Sequence, residues 1–175
     1  MKINLKYEQG DNFAMIKQKI IKCGKWKREF NFDFDAKVFF TITTEKYIIQ
    51  ITGGSVIILN RNSGHEINRL KGYNYLYTGD VKPDETELFT LENGKHFYII
   101  SLDDYTQKIR VTLPRSYEAI DVYGDFSENG ESLFVPVHKF VSNKYQYWIC
   151  EYETKSYSLV NMQQVEKSEV NCWGS

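Results

Sequence analysis

No stretch of this sequence approaches 18 apolar residues, the length a helix needs to cross a bilayer, so no transmembrane helix is expected. The opening residues, MKINLKYEQGDNF, hold no apolar run, so no secretory signal is expected and the chain is read as cytoplasmic. Cysteine is sparse and odd in number. Cys23, Cys150 and Cys172 stand alone, with neither metal-ligand spacing nor a disulfide framework, and are read as reduced thiols. Only three Pro and few Ala argue against a helical protein. The three His residues, His65, His96 and His138, each lie beside an expected strand with no catalytic motif nearby. Ser101 and Ser132 sit in no nucleophile elbow. Gly53-Gly54 lacks the Lys-Ser/Thr that completes a phosphate cradle, and Asp80, Asp84, Asp103, Asp104 and Asp125 do not match the spacing of a calcium loop. These absences leave no catalytic residue, no metal and no cofactor to assign, so the chain is read as a non-enzyme.

What remains is a folded, aromatic chain. Its 175 residues are enough for one domain with a core, and 42% hydrophobic against 26% charged content excludes a disordered polymer. Aromatics reach 15%, with 13 Tyr and 11 Phe; flat rings pack well on a pleated surface, which favours strands. The net charge of −1 hides an asymmetry. Residues 1–28 carry eight Lys/Arg against two acids, and residues 79–132 carry twelve acids against five bases. An acidic surface of that kind attracts a basic partner. The basic cluster Lys17, Lys19, Lys22, Lys25, Lys27 and Arg28, with Phe13 and Trp26, has the residue types that grip nucleic acid. A solvated face explains it better, and the overall pI near 6.3 makes nucleic acid an unlikely partner.

The patterning is organised around residues 122–135, VYGDFSENGESLFV, and an earlier copy at 79–90, GDVKPDETELFT. Each reads as Asp, a polar turn, then an alternating strand carrying Leu-Phe. The leading residues, Asp80 and Asp125, are 45 positions apart, the mark of stacked units of one supersecondary type. Residues 1–36 are the least regular. Asp11 could cap a helix bearing Phe13, Ile16 and Ile20, or the same residues form strands; Cys23-Gly24 reads as a turn. Phe30, Phe32 and Phe34 alternate with polar residues, as in a half-buried strand.

From residue 37 the order is regular. Strands are expected at 38–43, 47–52, 56–60 and 65–70, joined by turns at Thr44-Glu45, Gly53-Gly54 (of the type that accepts positive φ) and 61–64. A second unit has strands at 73–77, 87–91, 97–102 and 108–113. Its turns are 80–85, Asn93-Gly94 and 103–106, and Pro114 ends it. A third has strands at 119–123, 132–137, 145–152 and 156–160, with a longer loop at 139–144. The third strands of the units lie roughly 41 to 49 residues apart.

A four-stranded antiparallel meander repeated at this spacing resembles a β-propeller, and residues 80–91 and 125–135 resemble the element that joins the first two strands of a blade in WD40-like and related bacterial propellers. The fold class is therefore all-β, a β-propeller or partial propeller. It comprises an N-terminal segment at 1–36 (an incomplete or closing blade), three blades over 37–160, and a polar tail at 161–175. The chain departs from the WD40 pattern: no Trp-Asp ends a third strand, where Leu59-Asn60, Leu102-Asp103 and Glu151-Tyr152 stand instead. Gly64-His65 precedes a fourth strand rather than opening a blade, so the family's buried His–Ser–Asp network is not carried over. Three to four blades leave open a small ring, an open arc, or one part of a longer protein. Unpaired edges invite association, which favours an arc that pairs with a partner or with itself.

The resemblance also implies a binding face made by the connections between blades. It would hold Tyr73, Tyr75, Arg115 and Tyr117, with the acids Asp103, Asp104, Asp121 and Asp125 as a second contribution from charge. Tyr73, Tyr75 and Tyr77 are expected to share one strand face. The expected function is a non-catalytic protein-binding module, in a narrower form an immunity- or antitoxin-like inhibitor with an acidic surface. The alternative is the N-terminal portion of a larger propeller hydrolase or lyase.

Overall fold

The computed structural model describes residues 18–23, 26–31, 38–120 and 124–171. The chain divides into two units, Met1–Tyr75 and Leu76–Ser175. In the first, β1 (Gln18–Cys23) and β2 (Trp26–Asn31) form an antiparallel hairpin in which Lys22 lies opposite Lys27. Ile20 is therefore on a strand. The cap at Asp11, with Phe13 and Ile16, lies outside the described residues, as do Phe32, Phe34 and Cys172. The first large sheet is a meander of β3 (Val38–Thr43), β4 (Tyr47–Thr52), β5 (Ser55–Asn60) and β6 (Glu66–Lys71). β4 and β5 are near-continuous runs of Ile, Val and Leu, and Ile48, Ile49, Ile51, Ile57, Ile58 and Leu59 are all fully buried. Continuous rather than alternating apolar runs mean that both sheet faces are covered.

The Gly53-Gly54 turn is present, but Gly54 is not in the left-handed region. The threonine side chain closes the turn instead: Ser55 N–H donates to Thr52 Oγ1 at 2.9 Å, and Thr52 Oγ1–H donates to Ser55 O at 3.0 Å.

The second unit holds two sheets. One is the meander β7 (Leu76–Val81), β8 (Glu87–Glu92), β9 (His96–Ser101) and β10 (Gln107–Thr112). In the other, β13 (Ser132–Val141), β14 (Lys144–Glu153) and β15 (Leu159–Val165) follow in order. The first position beside β13 is shared by two short strands, β11 (Glu118–Ala119) and β12 (Asp125–Phe126). A short helix, α1 (Lys167–Asn171), follows β15. Among the described residues no helix is long and apolar enough to cross a membrane.

The core of this unit lies between the two sheets. Phe89, Leu91, Phe97 and Ile99 of β8 and β9 meet Leu133, Val135, Val137, Cys150 and Tyr152 of β13 and β14. Phe97 packs edge-on against Phe89 at 5.5 Å and Tyr152 at 5.0 Å between ring centroids. Each such side chain contributes about 1.5–3 kcal/mol by leaving water. A clamp joins the sheets at their rim: Tyr157 O–H donates to Glu87 at 2.7 Å, and the same carboxylate meets Lys108 at 3.2 Å and Lys82 at 3.5 Å.

The structure corrects the sequence reading in five places. The strand expected at 73–77 begins at Leu76, because Tyr75 has φ of +60°, which a strand cannot accommodate. Tyr73, Tyr75 and Tyr77 therefore do not share a strand face. The same strand runs on through Asp80 and Val81, so the polar turn starts at Lys82. Of the strand expected at 119–123, β11 takes in Ala119 and 121–123 lie outside the described residues, while a further short strand, β12, stands at Asp125–Phe126. The loop expected at 139–144 is a two-residue turn: Ser142 (φ +49°) and Asn143 (φ +61°) both adopt the left-handed conformation a tight hairpin requires. Finally, β15 starts at Leu159 and runs to Val165, beyond the 156–160 expected.

Candidate protein-binding surfaces

The two sheets of Leu76–Ser175 repeat the same backbone bonds, and this aligns their ends. Lys82 N–H donates to Glu87 O as Ser127 N–H does to Ser132 O; Leu102 N–H donates to Thr86 O as Thr154 N–H does to Glu131 O. Asp80 and Asp125 hold equivalent places, opposite Phe89 and Phe134. Asp80 ties the sheets together. Its Oδ1 accepts Val81 N–H at 2.8 Å, and its Oδ2 accepts Phe126 N–H of the next sheet at 2.9 Å. Burial pushes the Asp80 carboxyl up, against those two bonds, and Asp125 is also raised, by burial and then by the charge of Asp80.

One end of the unit collects the turns 82–86, 102–106, 127–131 and 154–158, since the bonds above join them in pairs and Gly130 sits over Lys82. This end is acidic, with Asp84, Asp103, Asp104, Glu128 and Glu131 exposed. Hydrogen bonds from Ser101 and Thr106 hold the Asp104 carboxyl below the usual range. Burial pushes Asp84 up, but Thr86 and Lys82 outweigh it and its carboxyl is lowered. Both stay charged at neutral pH.

The opposite end is aromatic. It gathers the turn after β8, the connection 113–117 and the β13–β14 hairpin, because Leu113 N–H donates to Lys95 O and Ala119 N–H to Gly94 O, both at 2.8 Å. Glu118 is the last β11 residue opposite β13, facing His138, so Lys139–Val141 and their β14 partners project past it as a two-stranded ribbon. One ribbon face stacks Tyr117 on Trp148 (5.0 Å, 86° between planes), with Lys139 Nζ 5.3 Å from the Tyr117 ring centre, inside cation–π range. The other face carries His138 against Tyr145 at 4.8 Å and Phe140 against Tyr145 at 5.0 Å. Phe140 is 58% exposed and Tyr145 55%.

The residues singled out from sequence are thus separated. Asp103, Asp104 and Asp125 belong to the acidic side. Arg115, exposed, and Tyr117, half-buried, belong to the aromatic end. Tyr73 and Tyr75 lie in the connection before β7, and Asp121 is outside the described residues. Sequence reading singles out neither Phe140 nor Tyr145: the polar residues at 139–144 place Phe140 in a loop, and Tyr145 only opens the strand expected at 145–152. Among the described residues no group of three or more His, Cys, Asp or Glu side chains could hold a metal ion. His96 meets Thr112 Oγ1 at 3.3 Å on the surface, and no acid–base pair surrounds it in the hydrogen bonds described.

No family model matches the sequence, and comparison with curated proteins finds no match. Solved structures do match. The RRP9 WD40 repeats superpose with a TM-score of 0.59 at 13% identity over 76% of this chain and 42% of that one. The Neurospora crassa Pan2 WD40 domain gives 0.58 at 11% identity over 85% and 46%. The tricorn protease gives 0.62 at 10% identity over 82% and 14%. This chain spans less than half the length of each. The repeated four-stranded sheets, their shared turn bonds and these superpositions together give the fold: β-propeller blades of a divergent, WD40-like kind.

Proposed function

We propose that this chain is a non-catalytic protein-binding module and that it meets a protein partner through the aromatic end of Leu76–Ser175. The observation that carries the reading is the projecting ribbon, which leaves Phe140 and Tyr145 more than half exposed on one face, with Tyr117 against Trp148 on the other. Aromatic side chains and Arg are enriched at the centres of protein interfaces, because they bury much area for little lost rotamer freedom. The likeness to WD40 repeats supports the fold on which this reading is built. This reading opposes one portion of a larger propeller hydrolase or lyase, which predicts further repeats in the same reading frame.

A second reading has its own observation. The gathering of Asp84, Asp103, Asp104, Glu128 and Glu131 at one end suits a basic partner, as an immunity-like inhibitor of a nuclease would need. A photo-crosslinking residue placed at Phe140 and, separately, at Asp103 distinguishes the two in the host cytosol. Crosslinks to another polypeptide from position 140 support the aromatic end. Crosslinks only from position 103, lost at high salt, favour the acidic end. Crosslinks to a second copy replace both with self-association, and none at either position removes the protein-binding reading.

A further inference from the structure

β15 stops short of the ribbon it flanks. Its ladder to β14 reaches Val165, opposite Tyr147, whereas β14 starts at Lys144. Lys144, Tyr145 and Gln146 pair with Val141, Phe140 and Lys139 of β13, and among the described residues no strand lies along their other edge. The chain turns off that edge at Glu166, whose N–H donates to the Glu169 carboxylate at 2.7 Å, and enters α1, where Val170 is buried. Beside this edge is an open groove of about 460 Å³, lined by Lys144, Tyr145, Tyr147, Val165, Glu166 and Lys167.

A strand edge without a neighbour offers backbone donors and acceptors in alternation, and an extended peptide can complete it. The pleat then sorts the peptide's side chains. Tyr145 shares its face with Phe140 and the His138 ring, so a peptide residue opposite Tyr145 meets an aromatic surface. Lys144 and Gln146 share the other face with Lys139, so the residues on either side of it meet positive charge. Lys167 adds a further cation at the groove, and with Lys139 and Lys144 it outnumbers the carboxylates of Glu166, which also lines the groove, and Glu169.

We infer that this groove takes an extended acidic segment of a partner protein. The segment runs antiparallel to β14 as a continuation of β15, with an apolar side chain against Tyr145 between two acidic ones. The inference rests on the protein-binding reading above and names the chemistry recognised. Short alternation of acid, apolar and acid, rather than a folded surface, is the feature read.

The test is a titration of the full, isotopically labelled chain with a synthetic octapeptide that carries leucine between two glutamates at its centre. Saturable amide shifts confined to 144–147 and 165–167 are expected. The same peptide with lysines for the glutamates, and the Tyr145→Ala chain, should each bind about tenfold more weakly, the loss expected on removing one anchor. Of two peptides N-methylated at the leucine or at the glutamate after it, one should lose binding, since a ladder uses alternate backbone groups. Unchanged shifts elsewhere in Tyr145→Ala show that its fold is kept. No saturable shift at this edge, indifference to both methylations, or tighter binding of the lysine peptide would each overturn the inference. If the peptide fails while crosslinks from position 140 persist, only strand addition is lost; if both fail, the binding reading falls with it.

Discussion

Asp80 shows how one side chain does the work of a missing ladder. β7 and β12 are outer strands of their sheets, so their outward N–H groups have no strand to meet. The Asp80 carboxylate takes one from each, Val81 and Phe126. Asp80→Ala leaves both donors without a partner, and urea denaturation should show a loss of about 1–3 kcal/mol. Asp125, in the equivalent place, accepts no such bond in the hydrogen bonds described, and it feels the Asp80 charge. Its carboxyl is raised in the fold, so ionising it costs more in the folded than in the unfolded state. The penalty is present at neutral pH and is lost as pH falls through the raised value. Asp125→Asn should therefore raise the urea midpoint at neutral pH, with the gain vanishing below the ordinary carboxylate range. An equal gain at both ends of the titration would contradict the charge explanation. Gly124 is constrained by space: a Cβ there would lie 2.9 Å from Phe134 O and from the Phe89 ring, so Gly124→Ala should cost about 1–3 kcal/mol by forcing the sheets apart.

Among the elements, the β13–β14 hairpin departs furthest from its neighbours. The corresponding turn after β8 is Asn93–Lys95, and there the strands end with the sheet. In the hairpin the two-residue turn at Ser142-Asn143 lets both strands continue, and the continuation is what exposes Phe140 and Tyr145. A β-branched side chain is disfavoured at positive φ. Asn143→Val should lower stability by about 1–2 kcal/mol, while Asn143→Gly should not lower it. Thermal melts of the two variants compare them directly, and equal melting would mean that the turn is not the constraint it is taken for. Polar residues at 139–144 hid this from sequence, since polarity marks a loop and a projecting ribbon alike; both are surrounded by water. The strand at 73–77 failed for the opposite reason. Three Tyr in alternation are a sound strand pattern, but Gly72 (φ +94°) and Tyr75 (φ +60°) adopt the left-handed conformation, which interrupts a strand.

At the scale of the molecule, the first two large sheets bury their middle strands, and all three leave their last strand outside. β6 and β10 largely alternate between half-buried and exposed and β15 is mostly exposed, whereas β4, β5, β8 and β9 are almost wholly buried. Amide exchange should follow this order, slowest in β4, β5, β8 and β9 and faster in β6, β10, β15 and the ribbon tip. Mass spectrometry of exchanged fragments would show it, and uniform protection across a sheet would contradict it. The sequence alone determined the all-β class, the repeat at Asp80 and Asp125, and most strand positions, because these depend on local alternation, turn residues and spacing. Only the tertiary structure decided which turns share an end, that Asp80 bridges two sheets, and that Phe140 and Tyr145 stand clear of the core. Those depend on which N–H meets which oxygen across 46 residues, or on where a neighbouring strand stops, and neither leaves a mark in local pattern.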